Sequence, residues 1–141
     1  MLIGKYEQTI DAKGRVNIPS KFRADLGDSF VVTRGMDGCI SIYPMEEWER
    51  FETALNEIPS SKRRDLQRYF CSAAEVCSID AQGRTLIRSD FRNEVSIKKD
   101  VVVVGVSRKL EIWAKEKWND YMQKPDFEPD AITNIMEEFG L

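Results

Sequence analysis

Apolar and polar residues alternate from Val16 through Asn17 to Ile18, the period of a half-buried strand. Extended residues 5–10 lead into it through Asp11 to Gly14, which reads as a tight turn. An Asp carboxylate can bond backbone N–H groups two residues on, and Gly accepts positive φ. Pro19 ends the strand, because it has no N–H for a ladder. Ser20 is the expected N-cap of a short helix, Lys21 to Leu26, with Phe22 and Leu26 one turn apart. After a break at Asp28 and Ser29, Phe30 to Thr33 is rich in β-formers, Gly35 to Gly38 is a hairpin turn, and Cys39 to Tyr43 returns. Pro44 suits the first position of a helix with Glu46 and Glu47 in its first turn. Trp48, Phe51, Leu55 and Ile58 then make an apolar helical stripe, read as core packing.

The pattern then starts again. Asp11 to Arg23 returns as Asp80 to Arg92, 69 positions on, with Asp, Ala, Gly, Arg, Ile, Ser, Phe and Arg at matching places. With one residue inserted, Val31, Val32, Gly35, Ile42 and Trp48 match Val101, Val102, Gly105, Ile112 and Trp118. The chain is therefore a tandem duplication. Two copies are too few for an open solenoid, which needs about three, so a closed, pseudo-symmetric structure is expected.

The divisions expected are residues 5–58 for the first copy, 59–73 for a connecting helix, 74–122 for the second copy and 123–141 for a tail. In the connector, Ser61 is the expected cap of a helix from Lys62 to about Ser72, with Leu66, Tyr69, Phe70 and Ala73 available to bury. Its cations Lys62, Arg63, Arg64 and Arg68 read as a solvated face paired with acidic neighbours, more readily than as a nucleic-acid patch. In the second copy, Glu75 to Ile79 and Thr85 to Ile87 are extended, Ser89 to Val95 is the short helix, and Val101 to Val104 should be buried on both faces. Leu110 to Trp113 returns, and Ala114 to Met122 is the paired helix. The tail helix begins at Pro129 and gathers Ile132, Ile135, Met136 and Phe139 on one side. A helix that short needs its apolar side docked, on its own core or on a neighbouring subunit.

Composition narrows the function. Histidine is absent, which removes the commonest general base and metal ligand. No Gly-rich phosphate loop, elbow-type serine or metal-spaced cluster occurs, so no cofactor, metal or catalytic residue is expected and an enzyme is disfavoured. The three cysteines, Cys39, Cys71 and Cys77, read as free buried thiols in a reducing compartment. No membrane span or signal peptide is legible, and a cytoplasmic chain is expected. Net charge is −3, yet residues 126–141 hold five acidic and no basic residues. The remainder carries 21 basic against 19 acidic residues, a net of +2, so a local basic face is available.

That charge bears on the repeated turn. Lys13, Gly14 and Arg15 place two cations beside a residue that lets a ligand approach closely. An Arg fork matches O6 and N7 of guanine in a major groove, and a Lys suits phosphate. A β-ribbon carrying such groups can enter that groove. Asp11 at i−4 can hold the fork in one orientation. The same residues also fit a purely local role, in which Asp11 closes its own turn and Arg15 pairs with it or covers apolar surface. Chemistry alone leaves both open.

The pattern Asp11-x-Lys13-Gly14-Arg15-Val16-x-Ile18-Pro19-x-x-Phe22-Arg23, then Asp80-x-Gln82-Gly83-Arg84-x-x-Ile87 with Arg92 closing, resembles the MraZ family of bacterial transcriptional regulators. So does Gly38 to Trp48, and the likeness covers essentially the whole chain. It implies an α+β fold: a pseudo-twofold, duplicated swapped-hairpin (AbrB-like) β-barrel with flanking helices. It implies a ring-shaped homo-oligomer, associated with the nucleoid. It also implies sequence-specific binding of double-stranded promoter DNA, at G-rich direct repeats upstream of a division and cell wall gene cluster that includes its own gene. Lys13 and Arg15 are then the principal DNA contacts and Arg84 a weaker one, because Gln82 replaces Lys13 in the second turn. Arg23 and Arg92 read as helix or inter-strand pairing residues rather than DNA contacts. Arg88 departs from the family, which commonly carries Pro there, and predicts a less sharply stopped strand. The competing reading is an AbrB-like protein-interaction or antitoxin-type module without sequence-specific DNA reading.

Overall fold

The computed structural model describes all residues from Met1 to Leu141. Each copy opens with a strand, turns into a second short strand, enters a short helix, then builds a hairpin and a closing helix. In the first copy these are β1 (Leu2–Thr9), β2 (Arg15–Asn17), α1 (Ser20–Leu26), β3 (Ser29–Arg34), β4 (Ile40–Pro44) and α2 (Met45–Asn56). The connector is α3 (Ser60–Cys71). The second copy comprises β5 (Glu75–Ser78), β6 (Arg84–Leu86), α4 (Ser89–Glu94), β7 (Asp100–Ser107), β8 (Leu110–Ala114) and α5 (Lys115–Met122). A 3-10 turn at Pro125–Phe127 leads to α6 (Pro129–Glu138).

The two copies do not make separate sheets. One antiparallel six-stranded sheet runs β1-β7-β8-β4-β3-β5, and a two-stranded ribbon pairs β2 with β6. Each copy's hairpin takes as its outer neighbour the opening strand of the other copy: β1 pairs β7, and β5 pairs β3. The hairpins meet at β4 and β8. In the ribbon, Val16 faces Thr85 between the pairs Arg15–Leu86 and Asn17–Arg84. The core draws equally on both copies: Val16, Ile18, Phe22 and Ile42 pack in one cluster with Ile87, Phe91, Val101 and Ile112. Val101 to Val104 are all buried, as a two-faced strand requires.

Three helix starts differ from expectation for one reason. α1, α2 and α3 begin directly after Pro19, Pro44 and Pro59, whose ψ values of 134°, 148° and 142° turn the chain just before the helix. Proline is thus the N-cap, where Ser20 and Ser61 were the expected caps and Pro44 an expected first-turn residue. No side chain caps these helices. Arg88 caps α4 in the same conformation (φ −56°, ψ 149°). β6 therefore stops at Leu86, the repeat equivalent of Asn17 where β2 stops, and the Arg-for-Pro difference does not lengthen the strand. Its guanidinium is held by Asp90 and Glu75, each at 3.1 Å, and lies over the Phe91 ring.

The surface of α3 differs from expectation, and that of α6 leaves one of its two alternatives. Lys62, Arg63, Arg64 and Arg68 on α3 form no ion pair; Arg63 Nη1 donates only to the Asn56 carbonyl at 3.3 Å. The face is solvated, but acidic neighbours do not pair with it. The α6 stripe does not dock on the chain's own core: Ile132, Ile135, Met136 and Phe139 are 40% to 71% exposed. All three cysteines are free thiols, but only Cys39 is buried, and Cys71 lies at the surface. Burial pushes the Cys77 thiol up to about 11. No helix is long and apolar enough to cross a membrane.

Candidate nucleic-acid interface

The β2–β6 ribbon carries the repeated turns at its two ends. Val16 and Thr85 point into the core, so their neighbours Arg15 and Arg84 face outward by the two-residue strand period. Ile18 N–H donates to the Gly83 carbonyl and Ile87 N–H to the Gly14 carbonyl, both at 2.8 Å. These two bonds fasten each turn to the end of the other copy's strand.

Within the first turn one carboxylate does three things. Asp11 Oδ1 accepts from the Lys13 N–H at 3.0 Å and the Arg15 N–H at 2.9 Å, while Oδ2 accepts from Arg15 Nε at 2.7 Å. The second turn copies it: Asp80 Oδ1 takes Gln82 N–H and Arg84 N–H, both at 2.9 Å, and Oδ2 takes Arg84 Nε at 3.0 Å. The Arg15 amide, then its side chain and the Lys13 amide, hold the Asp11 carboxyl below the usual carboxylate range. The Arg84 and Gln82 amides and the Arg84 side chain do the same for Asp80. Both carboxylates stay ionised at neutral pH. The Asp takes Nε of each Arg, so paired donation to a ligand falls to the terminal Nη1 and Nη2 groups, of which only Arg84 Nη1 has a carboxylate nearby.

Arg15 and Arg84 lie on one ribbon face; Arg84 Nη1 reaches across to 3.8 Å from Asp11 Oδ2. Lys13 stands exposed on its turn and makes no ion pair. Gln82 holds the matching place without charge. Asp11 closes its own turn and also holds the Arg15 side chain. Sequence reading missed Asn17, whose Nδ2 donates to the Gln82 carbonyl at 3.3 Å; no local pattern links residues 65 apart. No cluster of His, Cys, Asp or Glu could hold a metal ion.

The family model described as "MraZ protein, putative antitoxin-like" matches residues 1–68 and 70–134. The chain belongs to the MraZ family. A Transcriptional regulator MraZ from Lachnoclostridium phytofermentans is 49% identical over 144 residues, covering 100% of this chain and 99% of that one. Proteins of the same name from Ligilactobacillus salivarius and Thermoanaerobacter pseudethanolicus are 47% and 46% identical over 143 residues, with full coverage of both chains. The two segments that the MraZ model matches part at the connector α3, and each contains one Asp–Arg turn.

Proposed function

We propose that this protein is a DNA-binding transcriptional regulator that reads promoter DNA with Lys13 and Arg15, and more weakly with Arg84. The observation that carries the reading is the pair of Asp-clamped arginines on one ribbon face, each with Nε tied, with only Arg84 Nη1 drawn towards a second carboxylate, 3.8 Å from Asp11 Oδ2. A clamped fork loses little side-chain entropy on meeting guanine, and such a bidentate contact is worth about 1–3 kcal/mol of discrimination. Full-length relatives named transcriptional regulators support the same conclusion. The target is the promoter of its own division and cell wall gene cluster, bound at G-rich direct repeats and repressed. The cross-paired strands fit a swapped-hairpin barrel of the AbrB-like kind.

One turn offers only a few contacts, so we assign the working form to a ring of identical copies. Linked sites that match repeated boxes raise avidity by about two to four decades. The bare apolar face of α6 supports self-association: its ten residues are too few for a stable lone helix in water. The deletion of residues 126–141 should lower the mass measured by light scattering; an unchanged mass would remove the tail from the assembly.

The DNA reading is tested by footprinting the region upstream of the protein's own gene. Wild type should protect spaced G-rich boxes, and Arg15→Ala should not while keeping its fold. A second reading, a protein-interaction module, is favoured by the antitoxin-like description of the family and the exposed α6 face. It predicts DNA binding that is absent or indifferent to sequence and lost steeply with salt.

A further inference from the structure

Each glycine turn is closed over by an arginine from the other copy. Gly14 sits at φ +86°, and a Cβ there would stand 3.0 Å from Cζ and Nη2 of Arg92 and 2.9 Å from the Ile87 carbonyl oxygen. Gly83, at φ +80°, has the guanidinium of Arg23 against it so closely that a Cβ would collide with it. Both guanidinium groups are fixed at their other edge. Arg23 Nε donates to the Ile18 carbonyl at 2.8 Å, and Arg92 Nε to the Ile87 carbonyl at 3.0 Å. Ile18 and Ile87 are the residues whose N–H groups bond the opposite glycines. An arginine, its strand end and the opposing turn thus form one joined unit on each side.

We infer that Arg92 is a positioning residue for Lys13 and Arg15, and that Arg23 is one for Arg84, so that each copy sets the geometry of the other copy's DNA-reading turn. This rests on the DNA-reading role proposed above. Neither guanidinium needs a duplex to explain its place, since each packs against a glycine and bonds a carbonyl. Taking one away leaves a gap beside a residue in the left-handed region, and the turn that carries Asp, Lys and Arg gains room to move.

The two units are unequal. Arg23 Nη2 also donates to Asn17 Oδ1 at 3.2 Å, and Asn17 in turn donates to the Gln82 carbonyl. Leu86 occupies the matching place in the second copy and can do neither. The second turn therefore has Asn17 in reserve, whereas the first depends more heavily on Arg92. The more cationic turn is the one held by fewer bonds.

Hydrogen exchange read by mass spectrometry on the full chain tests this without DNA. Arg92→Ala should speed amide exchange about tenfold across residues 11–15 and leave residues 80–84 near wild type. Arg23→Ala should speed residues 80–84, by less. Faster exchange of a variant's own turn, or of both turns equally, would overturn the inference. Arg92→Lys keeps the charge but not the flat fork, so it should exchange like Arg92→Ala; wild-type exchange would overturn the inference. A double-mutant cycle on promoter affinity at low salt then connects the brace to reading. Arg92→Ala should be less than additive with Arg15→Ala and additive with Arg84→Ala. Additivity with both, or rescue of affinity by Arg92→Lys, would make Arg92 a direct phosphate contact and end the proposal. Wild-type affinity in Arg15→Ala would instead count against the DNA reading, leaving the exchange result to judge the brace by itself.

Discussion

The two Asp–Arg turns share their skeleton and differ in what surrounds it. In both, the Asp carboxylate takes two amides and an Arg Nε, and the glycine lies under an arginine of the other copy. The differences are Lys13 against Gln82, Val16 against Thr85, Asn17 against Leu86, Pro19 against Arg88 and Lys21 against Asp90. None of these alters the backbone path: the strands end level and the helices start alike. Folding thus constrains the identical positions, and the non-identical ones are free to make one turn cationic and the other neutral.

Breaking the shared part should hurt both copies alike. Phe22 and Phe91 are buried equivalents in one core. Phe22→Ala and Phe91→Ala should each cost about 3–5 kcal/mol in denaturant unfolding. A large gap between the two losses would show that the copies do not share that core on equal terms.

Exchanging the unlike part should move function without moving the fold. Lys13→Gln should lower the slope of log affinity against log salt by about one, and Gln82→Lys should raise it by about one. No change for either would take both turns off the DNA.

A smaller effect is expected inside the ribbon. Thr85 is buried opposite Val16, and its Oγ1 has no hydrogen-bond partner. An unsatisfied buried hydroxyl destabilises, so Thr85→Val should gain about 1 kcal/mol in thermal or urea unfolding. Val16→Thr should lose a similar amount, and a loss on Thr85→Val would contradict this.

The smallest effect is on acid stability. Asp11 and Asp80 both have carboxyl groups held below their ordinary value. The contribution is therefore fully present above the unfolded-state pKa and fades as pH falls below about 4, through the lower folded value. Asp11→Asn and Asp80→Asn should each flatten the urea midpoint against pH in that range, and to the same degree. An unflattened profile would mean the amide bonds do not matter to folding.

Much of the single-copy structure was legible, because the strand and helix periods of Val16, Ile18, Phe22, Trp48 and Leu55 are local. The exchange of strands was not. Val101 to Val104 announces a strand buried on both faces, but nothing in it says whether β1 or β5 lies alongside, since the copies are alike. The Asp11–Arg15 clamp was readable from an i, i+4 spacing and glycine. The Arg23–Gly83 and Arg92–Gly14 contacts were not, because they join residues far apart by shape rather than by pattern. The helix starts were misplaced where a serine was favoured over the neighbouring proline. The apolar side of α6 was visible at once, but no periodicity names what covers it.

Whether the two turns read DNA unequally can be decided by one titration. Binding of a fragment from upstream of the protein's own gene should be measured for wild type, Arg15→Ala and Arg84→Ala at one salt concentration, with mass and helix content checked. Arg15→Ala should lose at least about tenfold in affinity and Arg84→Ala less, and both should keep the wild-type fold. Wild-type affinity in Arg15→Ala would contradict this.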